Sequence, residues 1–257
     1  MTARVSWISF TPVKALALEH VEEIDLLEAG LQGDRRFFLV DERNRLVNNK
    51  DGHGALQLVH ARHDEDSNEL TLQLPDGRVV SGRAERGDEL TTIFHKRPKL
   101  ALRVHGPWDD ALSEVAGEQV RLVAAEHGAA DRGRGGAATL LGTASLEALA
   151  GELGVDQVDG RRFRMNFGIE GLAPHAEDAW VGKRIALGAA VIVPQGNVGR
   201  CAVTTQNPNT GIVDLDTLKA LAAYRGDLEA TEPLPLGVHA AVAQAGRVRV
   251  GDPVQPL

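Results

Sequence analysis

The 257-residue chain has a single cysteine, Cys201. One thiol cannot form an intramolecular disulfide, a four-cysteine zinc cage or, by itself, the ligand set of an iron–sulfur cluster. No apolar run approaches the roughly 18–20 residues of a membrane-spanning helix. The opening residues, Met1-Thr2-Ala3-Arg4-Val5-Ser6-Trp7, lack the apolar core and small-residue cleavage site of a secretory signal. Positive charge is also in the minority: 28 Lys+Arg against 36 Asp+Glu give a net charge of -8. That balance disfavours nucleic acid as a bulk partner but leaves room for a local basic cluster. The expectation is a cytoplasmic protein whose partners include neither nucleic acid nor a membrane. The chain also lacks a phosphate-binding P-loop, a Gly-x-Gly-x-x-Gly turn after a strand and a Gly-x-Ser-x-Gly elbow. Its histidines show no His-Glu-x-x-His spacing, and His60 and His63, three apart in an expected strand, should face opposite ways.

What remains is a globular composition, 43% hydrophobic and 25% charged, long enough for one large domain or two small ones. Alternation predicts strands over Arg4–Phe10, 21–27, 37–41, 56–63, Glu69–Gln73 and 78–83, with a turn at Pro75-Asp76-Gly77. Residues 84–106 hold charges and prolines and suggest a further strand or two. Helical spacing appears at Trp108–Ala116, with Asp109 and Asp110 in its first turn. It recurs at Thr143–Leu153, where Ser145 can cap the start, and at 214–224. Further strands are expected over Arg121–Ala125, 163–169, 184–187, 190–194 and 203–205, with a closing hairpin and strand over 244–252. The glycine-rich stretch 126–136 reads as a loop. Many short strands and few helices predict a mainly β (α+β) protein with a barrel-like body.

Three patches carry candidate chemistry. Cys201 follows Arg200, whose guanidinium would favour a thiolate, and the polar, glycine-rich segment Gln195-Gly196-Asn197-Val198-Gly199. A free cysteine is nevertheless more often a small buried hydrophobe. Arg162, Arg164 and Asn166 would share one face of an extended strand, donors suited to an anionic ligand, although a solvated charge stripe is the commoner outcome. Gly33-Asp34-Arg35-Arg36 and Pro12-Val13-Lys14 add basic points near turns. Asn207-Pro208-Asn209-Thr210-Gly211 reads as a surface turn.

In order along the chain, several segments resemble the MOSC-domain family with its N-terminal β-barrel region. They are Ser9-Phe10-Thr11-Pro12-Val13-Lys14, Gly30-Leu31 with residues 33–41, Phe163-Arg164-Met165-Asn166, Gly171 with Glu177-Asp178-Ala179-Trp180, and Arg200-Cys201 with Thr204-Thr205, Asn207-Pro208 and Thr210-Gly211. Leu218, Leu221 and Arg225 and the closing Gly251-Asp252-Pro253-Val254 continue the likeness. The cysteine motif is the most specific of these. The resemblance implies an N-terminal β-barrel region over residues 1–100 packed with a MOSC β-barrel domain over 101–257. It also implies a molybdenum cofactor (Mo-molybdopterin) with Cys201 as both the metal ligand and the catalytic residue. Lys14, Arg35, Lys50, Arg164, Asn166, Asn197, Gly199 and Arg200 would hold the cofactor, and a soft thiolate suits such a metal. Pyridoxal phosphate binding, also associated with the family, is the lesser implication.

The activity implied is that of an oxidoreductase reducing a small N-oxygenated substrate, an N-hydroxylated compound. Its electrons would come from a separate ferredoxin-like or cytochrome b5-like protein with its reductase, since no further module follows Leu257. Alternatives are a sulfur carrier or sulfurtransferase using a Cys201 persulfide, and a metal-free biosynthetic or cofactor-delivery protein. The rim departs from the family pattern. Ala15 stands where serine is usual, Met165 replaces proline, and Asn48-Asn49-Lys50 replaces Thr-x-Arg. Arg, Gly and Ala fill residues 132–138 where Asp-x-x-Pro is typical, and Leu236-Gly237-Val238-His239 departs as well.

Overall fold

The computed structural model describes residues 2–50, 52–126, 128–130 and 133–257. Its architecture is mainly β. One sheet has eight strands, running in space Val254–Pro256, Ile185–Leu187, Ala190–Gly199, Pro235–Gln244, Ala138–Gly142, Phe167–Glu170, Arg4–Phe10 and Glu19–Val21. A second has five: Glu85–Phe94, Arg97–His105, Arg121–Ala125, Phe37–Val40 and Leu46–Val47. A bridge between Arg45 and Ile93 brings the two edges of this second sheet together, so it curls on itself. Two three-stranded sheets complete the structure: His60–Asp64, Glu69–Gln73 and Val79–Arg83 in one, and Gly246–Arg249, Glu23–Leu27 and Gly30–Leu31 in the other.

Side-chain alternation decides where each strand packs. In Phe37–Val40 all four residues are buried. Phe37 and Leu39 join the core around Trp108, while Phe38 and Val40 enter a second core with Phe94 and Val123. A strand covered on both faces reads as a continuous apolar run. Helix α1 (Trp108–Ala116) stops at Gly117, whose φ of 75° is the left-handed conformation of a glycine C-terminal cap. Its Trp108 is fully buried and donates its indole N–H to the Leu70 carbonyl at 3.1 Å. Helices α2 (Thr143–Leu153) and α3 (Thr217–Arg225) cover a third core built on Leu141, Phe163, Met165 and Val198.

Several local expectations are corrected. Residues 56–58 belong to a 3-10 turn, Gly54–Leu58, before the strand His60–Asp64 begins. The expected strand over 163–169 is instead a 3-10 turn, Gly160–Phe163, then Arg164 in left-handed backbone with φ 53°, then the strand Phe167–Glu170. Residues 203–205 lie in the 3-10 turn Ala202–Thr205. The closing strand Gly246–Arg249 does not pair with the strand before it but with Glu23–Leu27. The strand Pro235–Gln244, missed in the sequence, is low in β-branched residues, yet it lies between Ala190–Gly199 and Ala138–Gly142.

Ser145 does not cap α2. Gly142 occupies the cap position, and the Ser145 hydroxyl donates to Glu177 Oε1 at 2.7 Å while accepting from the His175 N–H at 2.8 Å. Glu177 is fully buried, and burial raises its carboxyl above the usual carboxylate range. The folded state therefore holds this proton more tightly than the unfolded chain. Its contribution to stability falls as pH rises from the unfolded pKa through the raised folded value. Urea titrations of wild type and Glu177→Gln across that window should show the wild-type stability declining with rising pH and the Gln variant declining less.

Candidate functional site

The site forms where the first and second halves of the chain meet. Ser9 and Asn166 are neighbours across the pair Arg4–Phe10 and Phe167–Glu170, with the Ser9 N–H donating to the Asn166 carbonyl at 2.7 Å. The Asn166 side-chain amide donates to the Ser9 carbonyl at 3.2 Å and to Asp34 Oδ2 at 3.1 Å. Asp34 Oδ1 accepts from the Thr11 N–H at 3.0 Å, and Asp34 Oδ2 also pairs with the Arg35 guanidinium. Arg35 donates through Nη2 to the Arg164 carbonyl at 2.8 Å, and Arg164 Nη2 donates to the Leu16 carbonyl at 2.6 Å. Asp34, Arg35 and Asn166 are all buried.

These groups line a cavity of about 770 Å³. Its wall carries eight Lys and Arg side chains, from Lys14, Arg35, Lys50, Arg97, Lys99, Arg162, Arg164 and Arg200, against two carboxylates, Asp34 and Glu232. Cys201 is exposed and lies in the same wall. Its carbonyl accepts the Thr204 N–H and the Thr204 hydroxyl, both at 3.0 Å, which fixes the turn that presents it. Arg200 points inward: Nη1 donates to the Phe163 carbonyl at 3.0 Å, Nη2 approaches the Met165 sulfur at 3.1 Å and also reaches the Leu236 carbonyl. The guanidinium stacks over the Phe163 ring at 5.2 Å. Lys14 and Lys99 both stand over the Phe94 ring, at 5.7 and 4.9 Å.

Of the residues expected from sequence, Lys14, Arg35, Lys50, Arg164, Asn166, Gly199, Arg200 and Cys201 all line this cavity. Asn197 does not. It is buried in its strand and donates to Asp178 Oδ1 at 2.8 Å, and Asp178 in turn pairs with Arg225 at 2.6 Å. Arg162 does reach the cavity wall together with Arg164 and Asn166, but through the turn and the left-handed Arg164 rather than along one strand face. Its guanidinium is engaged with Asp214 at 2.7 and 3.0 Å, a contact that lowers the Asp214 carboxyl below its usual range.

Ala15 and Met165, two of the departures, also line the cavity, whereas His239 Nδ1 donates to the Gly135 carbonyl at 2.8 Å. Arg132 lies outside the described residues. His60 and His63 go separate ways: one pairs with Glu19 at 2.7 Å, the other with Asn68 at 3.0 Å. Sequence reading missed Phe94, His95, Arg97 and Lys99. The basic string at 95–99 was their signal, hidden in a segment too mixed in composition to be read as a hairpin.

Asn207-Pro208-Asn209-Thr210-Gly211 is a turn, with the Gly211 N–H on the Asn207 carbonyl at 2.8 Å, yet it is a seam as well as a surface turn. Gln206 donates to the Asn49 carbonyl at 2.7 Å. A Cβ built on Gly54 would sit 2.0 Å from the Gly211 carbonyl oxygen, so the two halves touch here backbone to backbone.

The structure is thus a curled, mainly β protein whose two halves meet at a cationic cavity with one exposed thiol. Comparison with known families names it: a MOSC domain model matches residues 127–255 and a MOSC N-terminal beta barrel domain model matches residues 2–116. The chain belongs to the MOSC domain family. It is 38% identical over 121 residues to mitochondrial amidoxime-reducing component 1 of Xenopus laevis, covering 45% of this chain and 34% of that protein. It is 35% identical over 124 residues to the Mus musculus protein of the same name, covering 46% and 36%. The matched stretch thus spans about a third of these relatives. Among solved structures, the YUAD protein from Bacillus subtilis aligns with a TM-score of 0.48 at 11% identity, over 99% of this chain and 94% of that one. Among the described residues, no helix is long and apolar enough to cross a membrane.

Asp34 is the hub of the wall, and truncating one partner of a buried, hydrogen-bonded ion pair costs about 3–5 kcal/mol. Asp34→Ala should therefore lower unfolding free energy by about 3 kcal/mol or more in urea titrations, with Asp34→Asn falling between it and wild type.

Proposed function

We propose that this protein is a molybdenum-cofactor-binding oxidoreductase that reduces N-hydroxylated compounds, taking electrons from a separate ferredoxin-like or cytochrome b5-like donor with its reductase. The observation that supports it best is the cavity itself: eight basic side chains and one exposed thiol in an otherwise acidic protein. The donor set fits such a group. Guanidinium and ammonium groups suit a pterin phosphate, an amide suits ring edges, and a thiolate suits a soft metal. The amidoxime-reducing relatives support the substrate class.

In this reading Lys14, Arg35, Lys50, Arg164, Asn166, Gly199 and Arg200 would hold the cofactor and Cys201 would ligate its metal. When bound, the cofactor supplies two-electron chemistry at an N–O bond. An amidoxime, two electrons and two protons then give an amidine and water. The protein's own part is position and charge. Arg35, Arg164 and Arg200 each donate to a backbone carbonyl, which fixes where the guanidinium sits. Thr204 keeps the Cys201 turn fixed, and pairing with Ser9 anchors Asn166 in the wall.

Purification from a cofactor-producing host should give close to one molybdenum and one pterin per chain. Cys201→Ala should lose the metal and benzamidoxime reduction by a chemical electron donor while keeping wild-type thermal unfolding. Metal-free protein carrying cyanide-labile sulfur on Cys201 would replace this reading with that of a sulfur carrier.

A further inference from the structure

The hairpin Glu85–Phe94 and Arg97–His105 reaches the cavity with its tip, placing Phe94, His95, Arg97, Pro98 and Lys99 in the wall. Phe94 pairs with Arg97, so His95 and Lys96 form a two-residue loop, and both have positive φ, 48° and 66°. Such a loop is easiest with Asn-Gly, since a Cβ in left-handed backbone is strained. Here two side-chain-bearing residues occupy it, and both are exposed. Breaking a local backbone preference is expected where the side chains serve function.

The charges at the same end point the same way. Arg35, Arg162, Arg164 and Arg200 donate to the protein, and Lys14 and Lys99 lie over Phe94. Lys50 and Arg97 differ from them. Among the described residues, neither side chain has an ion pair, hydrogen bond or ring contact, although both line the cavity. His95 and Arg97 also lie outside every motif shared with the family.

We propose that His95 and Arg97 on the hairpin tip form an anion subsite in the outer cavity, so that the substrate is an N-hydroxylated compound bearing a carboxylate or a phosphate-like group. This rests on the reductase reading and narrows its substrate class. The N–O bond is the one broken, and the anionic group is bound without being changed.

The metal-loaded protein is assayed with benzamidoxime, 4-carboxybenzamidoxime and 4-phosphonobenzamidoxime, and binding of each is measured by calorimetry. Wild type should prefer at least one anionic compound by about tenfold in kcat/KM and in affinity, with the preference shrinking at high salt. The carboxylate and phosphonate arms tell the two anion types apart. Arg97→Gln should lower the preference about fivefold, and replacing His95-Lys96 by Asn-Gly should lower it while holding or raising thermal stability. Equal or better use of benzamidoxime by wild type, or a preference untouched by both variants, overturns the proposal. If no compound is reduced but calorimetry still shows an Arg97-dependent preference, the subsite stands and the reductase reading falls. If calorimetry shows no preference either, both fall.

Discussion

The structure turns on the carboxylate of Asp34. It is buried, and it reaches the Thr11 amide, the Arg35 guanidinium and the Asn166 side chain. Those three contacts tie together the first strand's exit, the turn after Leu31 and the segment entering Phe167–Glu170. A buried charge is tolerable only when fully hydrogen-bonded, and each partner here is supplied by a different stretch of chain. The carboxylate therefore specifies which segments meet, and the cavity is the space left between them.

Eight basic groups in one wall repel one another, so something must hold them. The protein mostly uses backbone carbonyls: Arg164 carbonyl for Arg35, Leu16 carbonyl for Arg164, Phe163 and Leu236 carbonyls for Arg200. A carbonyl satisfies an N–H and leaves the positive charge in place, where a carboxylate would cancel it. Arg162 and Arg35 also meet carboxylates, those of Asp214 and Asp34. A chain of net charge -8 thereby keeps a positive cavity, and a low-dielectric concavity focuses that field on an incoming anion.

The elements set by strong periodicity were legible in sequence. Trp108–Ala116, Thr143–Leu153, Arg121–Ala125 and Arg4–Phe10 fall where apolar spacing put them. What failed was local reading at the site itself. Residues 163–166 look like a strand, yet Arg164 sits in left-handed backbone because its carbonyl must face Arg35 and its guanidinium must reach Leu16. Cys201 stood out as the lone cysteine and its motif through the family resemblance, whereas Arg97 and Lys99 did not, because nothing in a hairpin's own sequence says which cavity its tip will enter. Asn197 shows the converse: it sits in a suggestive segment, but its partner Asp178 lies in a turn that spacing could not bring near.

Backbone strain gathers where these constraints meet. Among the described residues, nine non-glycine residues have positive φ, and Ala15, Arg35, His95 and Arg164 line the cavity. Strained residues persist only where the surroundings over-determine them. Here Arg35 is held by its N–H on the Thr11 carbonyl at 2.7 Å and Arg164 by its N–H on the Arg161 carbonyl at 3.1 Å. The contact between the two segments is the Arg35 side chain on the Arg164 carbonyl, and Gly54 and Gly211 bring the halves together elsewhere. The cavity is thus not a pocket carved into one half. Its wall is drawn from residues 14–99 and from residues 129–232, so the site is present only where those two stretches pack together.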